Sequence, residues 1–186
     1  MTRAGTRPRW RLQAVSGLIA CAAVLGLMAA WGDNAGYRLN LTPSEPVGLW
    51  RITRGGIPRR GEYVGFCAPV ARYPFLEAGK CANGLMPFVK EIVGVPGDRI
   101  VETGNGVTVD GRGLPESRPH RRARDGTRLP QWHGHMTLGP GRYWTYGSGD
   151  PEWSFDSRYF GPLPRGRIRF VAHPVWTVGG GTGSGG

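Results

Sequence analysis

Hydrophobic positions follow two regimes along the chain. Residues 14–31 form an 18-residue stretch without a charged side chain, at the short end of what crosses a bilayer. Beyond residue 37 the apolar positions come in runs of a few residues separated by glycine- and proline-bearing turns. That is the pattern of β-structure and not of a helical bundle. Runs at 48–54 and 63–67 read as strands, with a turn at Arg59-Arg60-Gly61-Glu62 before the second. Residues 87–95 are the clearest strand. They end at Pro96-Gly97-Asp98, with proline and glycine where a type II turn prefers them. Residues 99–102 and 107–109 read as a hairpin about Gly104-Asn105-Gly106. Runs at 135–138, 143–146 and 168–172 supply further strands.

Between them, residues 110–131 are polar and arginine-rich and read as an exposed, partly disordered excursion. The organisation predicted is a basic segment at 1–13, an apolar anchor at 14–31, a mainly β domain at 37–175 and a flexible glycine-rich tail at 176–186.

Charge orients this arrangement. Arg3, Arg7, Arg9 and Arg11 precede the apolar run and no acid does, which puts the N-terminus in the cytoplasm and everything after Trp31 outside. A cleaved signal peptide is the competing reading, since small residues are frequent in the run. Against it, the run is longer than a usual signal core, and Trp31 stands where a cleavage site wants small residues. Both readings export the rest of the chain. Export places Cys67 and Cys81 in an oxidising compartment, where a disulfide between them is favoured. Cys21 reads as a small buried residue of the apolar run.

The net charge is +11, and all of its basic residues except Lys80 and Lys90 are arginine. An anionic membrane surface is a natural partner for such a chain. Nucleic acid is poorly supported, because the arginines are divided between the anchor flank and one cluster, Arg118, Arg121, Arg122, Arg124 and Arg128. No cofactor is implied. His133 and His135 alone make a poor case for a metal.

The chemistry centres on Asn40-Leu41-Thr42-Pro43-Ser44-Glu45-Pro46-Val47-Gly48-Leu49-Trp50. Thr42 and Ser44 share a face if the backbone is extended, and the two prolines stiffen it. A serine nucleophile needs a proton acceptor. No histidine has a distinctive neighbourhood, whereas a lysine can serve if burial disfavours its ammonium form. Lys90 shares a strand face with Phe88 and Ile92, with no carboxylate on that face, while Glu91 points the other way. Lys80, in a loop, should stay solvated. A lysine snorkelling to water from a strand edge is an equally good reading of Lys90 taken alone. Val47, Leu49 and Trp50 suit either a membrane interface or the core.

Three segments also carry a resemblance. Ser44 in Asn-x-Thr-x-Ser-x-Pro-x-Gly-Leu-(aromatic) and Lys90 in Val-Lys-x-Ile-Val-Gly-Val-Pro-Gly-Asp are two of them. The third is Ser154-Phe155-Asp156-Ser157-Arg158-Tyr159-Phe160-Gly161-Pro162. They resemble, in order and behind an anchor, three boxes of the membrane-anchored signal peptidases. The first box and the cysteine pair resemble the conjugative-transfer branch, the TraF-type peptidases.

The resemblance covers residues 10–172. It implies a signal-peptidase-like/LexA-like β-fold and a serine endopeptidase of the cytoplasmic membrane with its catalytic domain on the outer face. The substrate it implies is a pre-protein, a conjugative pilin precursor. Removal of signal peptides from secreted proteins in general is the alternative, and a non-enzymatic basic membrane-anchored binder is an alternative of another class. It implies Ser44 as nucleophile, Lys90 as general base, Thr42 in the oxyanion hole, Ser154 orienting Lys90, and Asp156 with Arg158 as a structural pair. The chain departs from the family pattern at Gly147-Ser148-Gly149, where Gly-Asp-Asn is usual, and at Glu91, where a basic residue is common.

Overall fold

The structure, a computed structural model, describes residues 9–41, 44–70, 73–152 and 154–178. It divides into two units, residues 1–38 and 39–186.

In the first unit, α1 (Arg9–Asn34) contains the whole apolar run. Leu18, Ile19, Val24, Leu25, Leu27, Met28 and Trp31 are all exposed, and so is Cys21, which was expected to be buried. Among the described residues no helix is long and apolar enough to cross a membrane.

The second unit is mainly β. The strands run in chain order as β1 (Tyr37–Asn40), whose first two residues close the first unit, β2 (Gly48–Thr53), β3 (Tyr63–Phe66), β4 (Phe88–Gly94), β5 (Arg99–Glu102) and β6 (Val107–Val109). They continue as β7 (Arg112–Gly113), β8 (Gly134–Thr137), β9 (Arg142–Tyr146), β10 (Leu163–Pro164) and β11 (Ile168–Thr177), with a short helix α2 (Ser157–Phe160) before β10. They form a seven-stranded sheet in the order β1-β2-β11-β3-β4-β9-β10 and a four-stranded sheet in the order β7-β6-β5-β8.

Sequence pattern explains most of these elements. Alternation in β4 buries Lys90, Ile92 and Gly94 on one face. Ile92 enters a core with Val64, Phe66, Leu163 and Val171. A second core joins Ile100, Val107, Val109 and Leu138 to Trp144. The turn after β4 is made as expected: Gly97 has φ 101°, a left-handed conformation that glycine adopts without steric cost. Asp98 closes it by accepting from the backbone N–H of Val95 at 2.6 Å and from Arg60 Nη2 at 2.6 Å.

Two expectations change. The last strand extends to Thr177, pairing with β2 beyond Ala172, and its register shifts between Pro174 and Trp176. Proline has no N–H to give to a ladder, so it sits at an irregularity. The excursion at 110–131 is exposed over most of its length yet is tied down by backbone groups. Ser117 Oγ accepts from Val107 N at 2.9 Å, and His120 N donates to the Tyr159 hydroxyl at 3.1 Å. The Pro115 carbonyl accepts from the Tyr146 hydroxyl. Hydrogen bonds hold this segment where apolar side chains are scarce. Trp50 belongs to the core, 3% exposed and edge-on to Tyr63.

Cys67 and Cys81 form the expected disulfide. It closes a loop of sequence separation 14, for which the chain-entropy argument gives about 3 kcal/mol. Replacing both cysteines by serine should lower stability by about that amount, read as a lower denaturation midpoint of the full chain in detergent micelles.

Candidate active site

Three side chains separated by long stretches of sequence line one cleft of about 630 Å³: Ser44, Lys90 and Ser154. Phe75, Met86, Phe88, Phe155 and Tyr159 give it mainly apolar walls. The segment next to the disulfide contributes Phe75, Leu76 and Glu77, and the polar excursion contributes His120, Arg124, Asp125 and Leu129. Nothing in the composition of the excursion indicated that it would face this cleft. Lys80 is exposed and does not line it. Thr42 lies outside the described residues.

Ser44 is half-buried, at the start of a loop held by backbone contacts. Asn40 Nδ2 donates to the carbonyls of Glu45 at 3.2 Å and Pro46 at 3.1 Å, and Trp50 Nε1 donates to Pro46 O at 3.0 Å. These bonds account for the asparagine and the aromatic residue that flank the serine. Gly149 N donates to Ser44 O at 3.2 Å. A Cβ at Gly149 would lie 2.6 Å from the Glu45 backbone, so a glycine is needed for this approach.

Lys90 is 4% exposed. Its amine lies 3.3 Å from Glu45 Oε1, and Glu45 is itself 1% exposed. This corrects the expectation that no carboxylate faces Lys90: Glu45 arrives from another segment, which strand alternation within β4 could not reveal. Ser148 Oγ donates to Glu45 Oε2 at 3.1 Å and lies 3.2 Å from the Tyr63 hydroxyl. Burial pushes the Glu45 carboxyl up to about 7, against the opposing pull of Lys90 and the Ser148 bond. Burial also raises Glu91, with a bond to Ser148 opposing it. Glu45 is the site residue that sequence reasoning missed. Its one signal is an acid beside the serine in a proline-bounded motif.

Ser154 Oγ is buried with no hydrogen-bond partner among the described residues. It and the stem of Lys90 both flank Gly147: a Cβ there would come 1.8 Å from Ser154 Oγ and 3.5 Å from Lys90 Cδ. The orientation of the lysine amine by Ser154 is therefore not made in this conformation, in which Glu45 holds the amine.

Beneath this segment Asp156 and Arg158 are fully buried and joined twice, from Nε at 2.8 Å and from Nη2 at 2.9 Å. Arg158 Nη2 also donates to the carbonyls of Pro151 at 2.6 Å and Ser154 at 3.0 Å. Asp156 Oδ2 accepts from Gly147 N at 2.9 Å, and Asp156 caps α2 through the Arg158 N–H. The pair thus sets the backbone on which Gly147 and Ser154 face Lys90. Among the described residues no group of His, Cys, Asp and Glu could hold a metal ion.

The chain belongs to the S26 signal peptidase family: residues 9–176 match the family described as signal peptidase, peptidase S26. It is 38% identical over 164 residues to a probable conjugal transfer protein TraF of Sinorhizobium fredii, covering 84% of each chain. A conjugal transfer protein TraF of Agrobacterium tumefaciens is 36% identical over 168 residues, 86% of this chain and 93% of that one. A signal peptidase I from Enterococcus faecalis is a neighbour among solved structures, with 18% identity and a TM-score of 0.36, covering 61% of this chain and 94% of that chain. That likeness is too slight to argue from.

Removing one member of a buried ion pair leaves an uncompensated charge, at about 3–5 kcal/mol. Asp156→Ala should destabilise the protein by about that much, measured by denaturant unfolding of the full chain.

Proposed function

We propose that this chain is a membrane-tethered serine endopeptidase that cleaves a pre-protein, a conjugative pilin precursor, at the outer face of the cytoplasmic membrane. The observation that carries this reading is the meeting of Ser44, Lys90 and Ser154 in one apolar-walled cleft in a member of the S26 family. The choice of substrate rests on relatives named as conjugal transfer proteins.

In the proposed reaction neutral Lys90 takes the Ser44 proton as Oγ attacks the scissile carbonyl carbon. The Ser44 N–H and the Thr42 hydroxyl hold the oxyanion that forms. The Lys90 ammonium then protonates the departing amine as the peptide C–N bond breaks. Water, deprotonated by the same amine, attacks the acyl carbon; the carbon–Oγ bond breaks and the lysine ammonium returns the proton to Ser44. Ser154, beside the lysine stem, is the hydroxyl that would receive the amine in the working position.

The tether is proposed from the uncharged run at 14–31, its arginine flank and the exposure of its side chains. No charged side chain interrupts that run, and basic residues on one flank orient such a segment in a bilayer. Leu39, Leu41, Ile57, Val175 and Trp176 are exposed apolar residues of the second unit, of a kind suited to a membrane surface. Tethering would hold enzyme and membrane-delivered substrate at high local concentration.

Cleavage of a pre-pilin by the full chain in detergent micelles tests the reading. Ser44→Ala and Lys90→Ala should each lower the rate by about 10³-fold or more, while Lys80→Ala should stay near wild type. Full activity in Lys90→Ala would sink the dyad. Cleavage of secreted precursors in general, with the pre-pilin left intact, would assign the broader signal peptidase activity instead.

A further inference from the structure

We propose that Glu45 is a positioning residue for the base: its carboxylate holds the Lys90 ammonium away from Ser44 and Ser154 in the resting site, and the amine turns to the nucleophile when that ion pair is released. The inference rests on the assignment of Ser44 and Lys90 made above.

Two features of the geometry carry it. The amine lies 3.3 Å from Glu45 with both side chains buried. At the same time the buried Ser154 hydroxyl beside the lysine stem has no partner among the described residues. A buried polar group left unpaired is costly and calls for an explanation. The site therefore offers the amine two positions, one filled and one waiting. The flexible four-carbon stem of a lysine is what such a move would use.

The charges around the pair fit a holding role. Glu45 is faced by Lys90 and Glu91 from β4 and by Ser148 from residues 147–149, and Ser148 in turn meets Tyr63 of β3. Lys90 is the cation of this group. The Ser148 hydroxyl favours the ionised carboxyl, whereas burial and Glu91 oppose it. A carboxyl so balanced, near 7, grips the ammonium when ionised and loosens when protonated. In the working cycle the ammonium gives one proton to solvent, its N–H bond breaking. The neutral amine then takes the Ser44 hydroxyl proton as the Oγ–C bond forms.

The sign of the pH effect follows. An opposite charge favours the charged form of its neighbour, and Glu45→Gln removes that charge while keeping the shape of the side chain. In the pre-pilin cleavage assay, Glu45→Gln should move the acid limb of the pH–rate profile about one unit or more to lower pH. Activity on the alkaline side should remain. Ser148→Ala, which weakens the ionised carboxyl without touching Lys90, should move the limb the same way by less. Ser154→Ala should lower the rate across the profile with the limb in place.

A limb unmoved in both Glu45→Gln and Ser148→Ala overturns the assignment. So does a folded Glu45→Gln protein that is inactive at every pH. Should Glu45→Gln fail to fold, the Ser148→Ala limb decides. Full activity in Ser44→Ala, or no cleavage by the wild type, would remove the peptidase reading itself, a separate result.

Discussion

Arg158 has no exposed surface, and its guanidinium is spent entirely on local partners: Asp156, two backbone carbonyls of the preceding loop and Glu116 O at 3.3 Å. Two tyrosine rings, of Tyr146 and Tyr159, flank it at 5.1 and 5.6 Å. A buried ion pair is poor evidence of net stability, because desolvation offsets much of the attraction. What it does is select one backbone path. The loop after β9 must bring its carbonyls to the guanidinium and the Gly147 N–H to Asp156. On that path Ser154 and Gly147 meet Lys90, and Gly149 meets the loop bearing Ser44. The site depends on a pair that reaches it only through backbone groups.

Lys90 shows the opposite economy. β4 delivers it to an interior position where an ammonium has little water, and a carboxylate from a distant segment compensates. The compensation is incomplete, since burial pushes the Glu45 carboxyl up to about 7. Titratable groups held this close to neutrality are characteristic of sites that move protons, although structural networks also produce them.

The walls of the cleft come from the two least regular parts of the domain. One is the segment beside the Cys67–Cys81 disulfide, with Phe75 stacked on Tyr73 and edge-on to Phe155. The other is the excursion after β7. Loops carry recognition where a rigid sheet carries chemistry, and this division holds here. The strands present Lys90 and its core neighbours, while the loops decide how much room a bound chain would have.

Much of the domain was legible in its periodicity. Alternation located β4, β5, β6 and β9, turn residues located Pro96-Gly97-Asp98, and strand parity placed Lys90 on a face with Ile92. The motifs identified Ser44, Lys90 and Ser154 one by one. Their meeting was not legible from spacing, nor was the arrival of Glu45 beside Lys90, because both are set by which strands pair and how loops cross. The two-residue strands β7 and β10 were invisible for another reason: a pair of residues has no period.

The polar excursion is poor in core residues, as its composition predicts, but it is held in place and not partly disordered: its place beside the cleft comes from hydrogen bonds to backbone groups, which leave no mark in composition. Local pattern, then, determined the elements and the chemical groups they carry. The tertiary structure decided which charge stands next to which, because burial and pairing across long sequence separations are properties of the packed chain alone.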